Sequence, residues 1–131
     1  VLPEHVLIHP EKHGLVLVDW CYSVPGCYAP TDPSGRVPAF VGRYADWYPP
    51  EVRRRERASP GTDIFMATRC MTYLMGDKAP KAMRSFAKGC LLASQRRRPR
   101  DAWRLLEEFD ELLERLYGPR RFRPFTMPTS H

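Results

Sequence analysis

Several things are scarce in this 131-residue chain, and each scarcity excludes something. No apolar run approaches the roughly 18 residues that a membrane-spanning helix needs. The longest stretches, such as Leu15-Val16-Leu17-Val18, are of strand length. A charged start followed by an apolar core is missing, so no secretory signal is visible. Cysteine is limited to four residues, too few for a disulfide-built scaffold. Cys70 and Cys90 fall inside helical patterns, which points to buried thiols in a reducing compartment and a cytoplasmic protein. The chain also lacks a glycine-rich phosphate loop of either standard form. It starts at Val1 in mid-pattern, so we expect it to be a piece of something larger.

What is present is a soluble globular composition, 43% hydrophobic and 27% charged, enough for one modest core. The net charge is +6, and arginine supplies 17 of the 21 basic residues. Arg53-Arg54-Arg55 with Arg57, and Arg96-Arg97-Arg98 with Arg100, form two runs. Such runs could contact nucleic-acid phosphates. Aromatic interleaving is sparse around them, so they read as a solvated rim with one buried arginine, and nucleic acid is disfavoured as a partner.

Residues 5–19 read as a β-hairpin. Its arms are His5-Val6-Leu7-Ile8 and Leu15-Val16-Leu17-Val18, both expected to be buried, and Pro10 and Gly14 punctuate the turn. Residues 20–62 are rich in Pro and Gly and predict a long irregular segment, with one helical turn at Pro50-Glu51-Val52-Arg53. Residues 62–75 predict a helix that is apolar on nearly every face, stopped by Gly76, and hence central. A second helix starts at Pro80 and runs to about Gln95. A third starts at Pro99, with Trp103, Leu106, Phe109, Leu113 and Leu116 as its apolar stripe, and ends at Gly118-Pro119. Trp20, Trp47 and Trp103 read as packing residues. The tail to His131 reads as extended chain. The expected fold is therefore mainly α with a small β-hairpin. Its parts are 1–19, 20–58, 59–117 and a tail, 118–131.

Their order resembles the C-terminal lobe of a eukaryotic-type protein kinase. Leu2-Pro3-Glu4-His5-Val6-Leu7-Ile8 resembles the second half of the catalytic loop, usually Lys-Pro-Glu-Asn followed by a strand. Val18-Asp19-Trp20-Cys21 resembles the Asp-Phe-Gly motif. Gly42 to Tyr48-Pro49-Pro50-Glu51 resembles the end of the activation segment, with Pro49-Pro50-Glu51 standing for Ala-Pro-Glu. Ser59-Pro60-Gly61-Thr62-Asp63-Ile64-Phe65 is similar to the start of the central helix, and Arg98-Pro99 to the pair ahead of the last helix. The resemblance covers residues 1–117 and implies a kinase-like C-lobe with a minimal helix set. It also implies a buried Glu51–Arg98 ion pair and an Asp63 that anchors the catalytic loop from the head of the central helix.

Departures from the family pattern shape the functional expectation. Any catalytic base, strand lysine and glycine-rich loop would lie before Val1. The catalytic-loop lysine position holds Leu2. The magnesium-binding asparagine position holds His5, an imidazole where a hard ion prefers oxygen. Asp19 is retained and can bind one metal ion, but Cys21 replaces the flexible glycine. Only Asp77-Lys78-Ala79 separates Gly76 from Pro80, where kinases carry another helix.

The resemblance thus implies a catalytically impaired module that binds or regulates, with no catalytic residue in the fragment itself. Mg-ATP would belong to the full-length protein and not to this chain alone. The partners implied are an upstream N-lobe in the same polypeptide and a further protein, with no membrane. An exposed interlobe face would favour self-association of the fragment. Two alternatives stand: an active atypical serine/threonine kinase or other ATP-dependent phosphotransferase with an unseen upstream base, and a basic nucleic-acid-binding helical domain. His5, His9, His13, Cys21 and Cys27 lack the paired spacing of a zinc site. Ser23, Thr31 and Ser34 are loop hydroxyls that phosphate could link to nearby arginine.

Overall fold

The computed structural model describes residues 1–24, 34–122 and 126. Cys27, Thr31 and the outer tail, with Arg123, Pro124, Phe125 and Pro128, lie outside the described residues. The chain is mainly α with one two-stranded antiparallel sheet.

A 3-10 turn, Pro3–His5, leads into β1 (Val6–Ile8), which pairs with β2 (Leu15–Leu17). The register sets Val6 opposite Leu17, Leu7 opposite Val16 and Ile8 opposite Leu15. The connection closes where His9 N–H donates to the Gly14 carbonyl at 2.8 Å. Contrary to the expectation of buried arms, Leu7, Ile8, Leu15 and Val16 are all exposed. Among the described residues the two short strands have no further sheet partner, and their apolar side chains stay at the surface.

The Pro/Gly-rich segment is less irregular than its composition suggests. Gly42–Trp47 forms 3-10 turns that the sequence reading missed. Helix α1 (Pro50–Arg53) follows, and Pro49 is buried ahead of it. Arg36 forms an isolated antiparallel bridge with Arg57.

Helix α2 (Pro60–Met75) starts two residues earlier than expected, with Pro60 in its first turn, where a missing N–H costs nothing. Its Ile64, Phe65, Met66, Thr68 and Cys70 are buried, but Tyr73 and Leu74 are exposed. The central position therefore holds for the first three turns only. A 3-10 turn, Gly76–Lys78, makes the short connection to the next helix. Helix α3 (Lys81–Cys90) ends well short of Gln95. Beyond it the carbonyls of Leu92 and Ala93 accept from the Arg98 side chain. Gln95–Arg97 is a separate 3-10 turn.

Helix α4 (Ala102–Tyr117) begins after Asp101, whose carboxylate accepts from the N–H groups of Trp103 and Arg104. The expected stripe is displaced. Leu112 is its buried residue, Phe109 packs on Phe86 at 5.2 Å between ring centroids, and Trp103 and Leu106 are exposed. Of the three tryptophans, Trp20 is exposed as well, and only Trp47 packs, edge-on to Tyr44 and Tyr73.

The core lies between the start of the chain, α1 and α2. Leu2, Tyr48, Val52, Phe65 and Met66 form it, with Phe40, Val41, Trp47 and Leu91 packed around. A second layer joins α2 to α3 and α3 to α4 through Met83, Ala87 and Cys90. Among the described residues no helix is long and apolar enough to cross a membrane.

Candidate functional site: a buried ionic lock and the loop face beside it

Glu51 sits in the first turn of α1, and Arg98 ends the 3-10 turn before α4. They are far apart in sequence, yet their side chains meet with relative exposures of only 2% and 0%. Arg98 Nη1 donates to Glu51 Oε1 at 2.7 Å and Nη2 to Oε2 at 2.6 Å, the fork-on-fork geometry that suits guanidinium and carboxylate.

Arg98 has five N–H donors, and each finds an acceptor. Besides the two on Glu51, Nε donates to Leu92 O at 2.7 Å, Nη1 to Gly61 O at 2.9 Å and Nη2 to Ala93 O at 3.4 Å. The guanidinium also lies 5.0 Å from the Phe65 ring centroid. Five satisfied donors explain how a full positive charge tolerates complete burial.

The carboxylate side is equally filled. Thr62 Oγ1 donates to Glu51 Oε1 at 3.0 Å, and accepts from Ser59 N–H at 3.1 Å and Gln95 Nε2 at 3.3 Å. Burial alone would push the Glu51 carboxyl up. Hydrogen bonds from Arg98, the backbone and Thr62, with the attraction of Arg98, overcome it and hold the group below its usual range. The network thus ties α1, the head of α2 and the segment before α4 into one unit. Thr62 and Gln95 were missed by sequence reasoning, since neutral polar residues carry no charge pattern to betray them.

Asp63, expected to anchor a loop from the head of α2, is exposed. Ser59 and Thr62 close the helix terminus: Thr62 N–H donates to the Ser59 carbonyl at 2.8 Å, and Ser59 N–H returns to Thr62 Oγ1. One residue of helical rotation separates the inward Thr62 from the outward Asp63.

The second group of candidate residues lies beside the hairpin. His5 Nε2 is 3.3 Å from Asp19 Oδ2. Asp19 has a left-handed backbone, φ +60°, unusual for a side-chain-bearing residue. Its Oδ1 accepts from Cys21 N–H at 3.3 Å. Contact with the Cys21 thiol and N–H, helped by the charge of His5, lowers the Asp19 carboxyl, and the same contact raises the Cys21 thiol. Glu4 accepts from Arg43 Nη2 at 2.6 Å and from the Tyr44 hydroxyl, which fastens the Pro3–His5 turn to the Gly42–Trp47 segment. Leu2 is 3% exposed and belongs to the core.

These residues do not fit a magnesium ion by themselves. One carboxylate, already engaged by Cys21 and facing an imidazole, is not the oxygen set the ion prefers. Among the described residues no three His, Cys, Asp or Glu side chains gather as metal ligands. His9 is exposed, and its Nδ1 accepts from Lys12 N–H; His13 packs on Phe122. Of the loop hydroxyls, Ser23 donates to Trp20 O at 2.7 Å and Ser34 accepts from Arg36 N–H at 3.3 Å.

An open groove of about 290 Å³ flanks the uncovered end of α2, lined by Asp46, Trp47, Arg69, Thr72 and Tyr73. Arg69 Nη2 donates to Asp46 O at 3.0 Å across it. No family model, curated protein or solved structure matches this chain.

Proposed function

We propose that this chain is the C-terminal lobe of a protein kinase-like domain that has lost phosphoryl-transfer chemistry and serves as a binding or regulatory module. The observation that carries the reading is the buried, bidentate Glu51–Arg98 pair. It joins the Pro49-Pro50-Glu51 turn to the Arg98-Pro99 step before the last helix, as the family pattern requires. Five sequence resemblances in order and one long-range pair of the expected identity support one another.

Impairment follows from the residues at the loop face. His5 stands where the family places a metal-binding asparagine, and its ring faces Asp19. Leu2 stands at the lysine position and is committed to the core with Tyr48 and Phe65. An ammonium there would be desolvated. A domain with these two changes keeps its packing and gives up the charges that hold nucleotide phosphates. An N-lobe from the same parent polypeptide would complete the fold, in the cytoplasm, and a protein would be the partner of the completed module.

The test is a thermal-shift and phosphate-transfer experiment on the parent polypeptide with ATP, with and without magnesium. The reading expects no magnesium-dependent stabilisation and no phosphorylated product. A magnesium-dependent rise in Tm with transfer of labelled phosphate would favour the active-phosphotransferase alternative.

A further inference from the structure

The sequence shows two arginine runs far apart, each of which reads as ordinary solvated charge. The structure joins them. The bridge between Arg36 and Arg57, with Ala58 N–H donating to Gly35 O at 2.8 Å, lays residues 34–36 along residues 57–58. Gly35 makes this approach with φ +57°, and a Cβ on it would stand 2.8 Å from Arg57 Nε. From the other side, Gln95 Nε2 donates to Arg57 O at 3.1 Å, and the Glu51–Arg98 lock holds residues 95–98 against α1.

Arg36, Arg53, Arg54, Arg55, Arg57, Arg96 and Arg97 are all exposed around this junction. Among the described residues of these three segments one acid, Glu56, accompanies them. Seven of the chain's 21 basic residues and one of its 15 acidic residues are thus gathered here, so the other 14 of each sign balance. The seven arginines and Glu56 carry a local excess of +6.

We propose that this face binds the phosphodiester backbone of duplex nucleic acid without reading its sequence. All seven cations are arginine, whose planar fork engages phosphate oxygens in pairs. The three segments, Ser34-Gly35-Arg36, Arg53 to Arg57 and Gln95-Arg96-Arg97, contain no aromatic residue on which an unpaired base could stack, which disfavours a single strand. Nor do they contain an apolar side chain to enter a bilayer, which disfavours a lipid surface. Backbone contact with a duplex requires only cations spread over a rigid face, and the buried lock supplies the rigidity. This surface shares no residue with the His5–Asp19 group and does not depend on the kinase-like reading.

The experiment is fluorescence anisotropy of a labelled 20-base-pair duplex, as DNA and as RNA of the same sequence, titrated with the 131-residue chain between 50 and 200 mM salt. Six or seven phosphate contacts predict an affinity loss of on the order of 10³-fold or more across that range. Arg53→Ser/Arg54→Ser/Arg96→Ser/Arg97→Ser removes four exposed charges whose side chains make no hydrogen bond among the described residues, and should flatten the log–log salt slope by roughly 3 to 4. The pair Arg96→Ser/Arg97→Ser should flatten it by roughly 2, and serves if the fourfold variant melts abnormally. Lys81→Ser/Lys88→Ser, on the exposed side of α3, should leave the slope unchanged. Equal loss in the lysine variant, no loss in either arginine variant, or equally tight capture of a polyglutamate probe would overturn the proposal.

Discussion

Replacing Glu51 by alanine tests how far the buried pair holds this fold together. The substitution leaves Arg98 at 0% side-chain exposure with two of its five donors unpaired, and removes the acceptor of the Thr62 hydroxyl. Removing one partner of a buried pair typically costs about 3–5 kcal/mol. For a domain of this size each kcal/mol moves Tm by roughly 3–5 °C, so Glu51→Ala should melt about 10 °C lower or more. Arg98→Met should be at least as damaging, since it orphans the carbonyls of Gly61, Leu92 and Ala93 as well as the carboxylate. The assay is far-UV circular dichroism against temperature, checked by urea titration at constant slope. A pH series adds a signature. Because the folded Glu51 carboxyl lies below its unfolded value, its contribution is present above the unfolded pKa and is lost as pH falls through the folded one. Wild type should therefore lose more stability than Glu51→Gln on acidification through and below the usual carboxylate range. A Glu51→Ala protein melting within about 2 °C of wild type, with parallel acid limbs for Glu51→Gln, would refute the reasoning.

Other substitutions probe the remaining parts of the account. Thr62→Val leaves Ser59 N–H without its acceptor and Glu51 Oε1 without the Thr62 donor, while Gln95 Nε2 keeps the Arg57 carbonyl, and should cost about 1–3 kcal/mol, whereas Asp63→Ala, at an exposed site, should cost under about 1 kcal/mol; urea titration separates them. Leu2→Ala empties a core position and should cost about 2–5 kcal/mol by the same measure. Asp19→Asn relieves the carboxylate contact that raises the Cys21 thiol, so Cys21 alkylation near neutral pH should speed up; peptide mapping reads it, with buried Cys70 and Cys90 slow in both proteins.

Local signals made the hairpin legible, since Pro10 and Gly14 bracket a turn between two β-branched runs. The three long helices were legible in their periodicity, and the stops at Gly76 and Gly118 marked the ends of α2 and α4. What failed was long-range. The end of α3 was misplaced because Arg98, a residue outside the helix, draws the Leu92 and Ala93 carbonyls out of the helical ladder. The apolar last turn of α2 and the exposed Trp103 misled for one reason: an apolar side chain marks a face that could be covered, and only packing decides whether anything covers it. Glu51 and Arg98 were paired through family resemblance, since nothing in their spacing links them. The arginine face was illegible for the same reason, since its segments meet through long-range contacts such as the Arg36–Arg57 bridge, the Gln95 contact and the Glu51–Arg98 pair.

The most direct measurement of the central claim is a double-mutant cycle of Glu51→Gln, Arg98→Met and their combination, read by urea unfolding. A network that staples α1 to the segment before α4 predicts a coupling free energy of about 2–3 kcal/mol, with the double variant far less damaged than the two single losses added together. Strict additivity, with a coupling below about 0.5 kcal/mol, would mean that the two groups do not act on one another and that the fold is held together by other means.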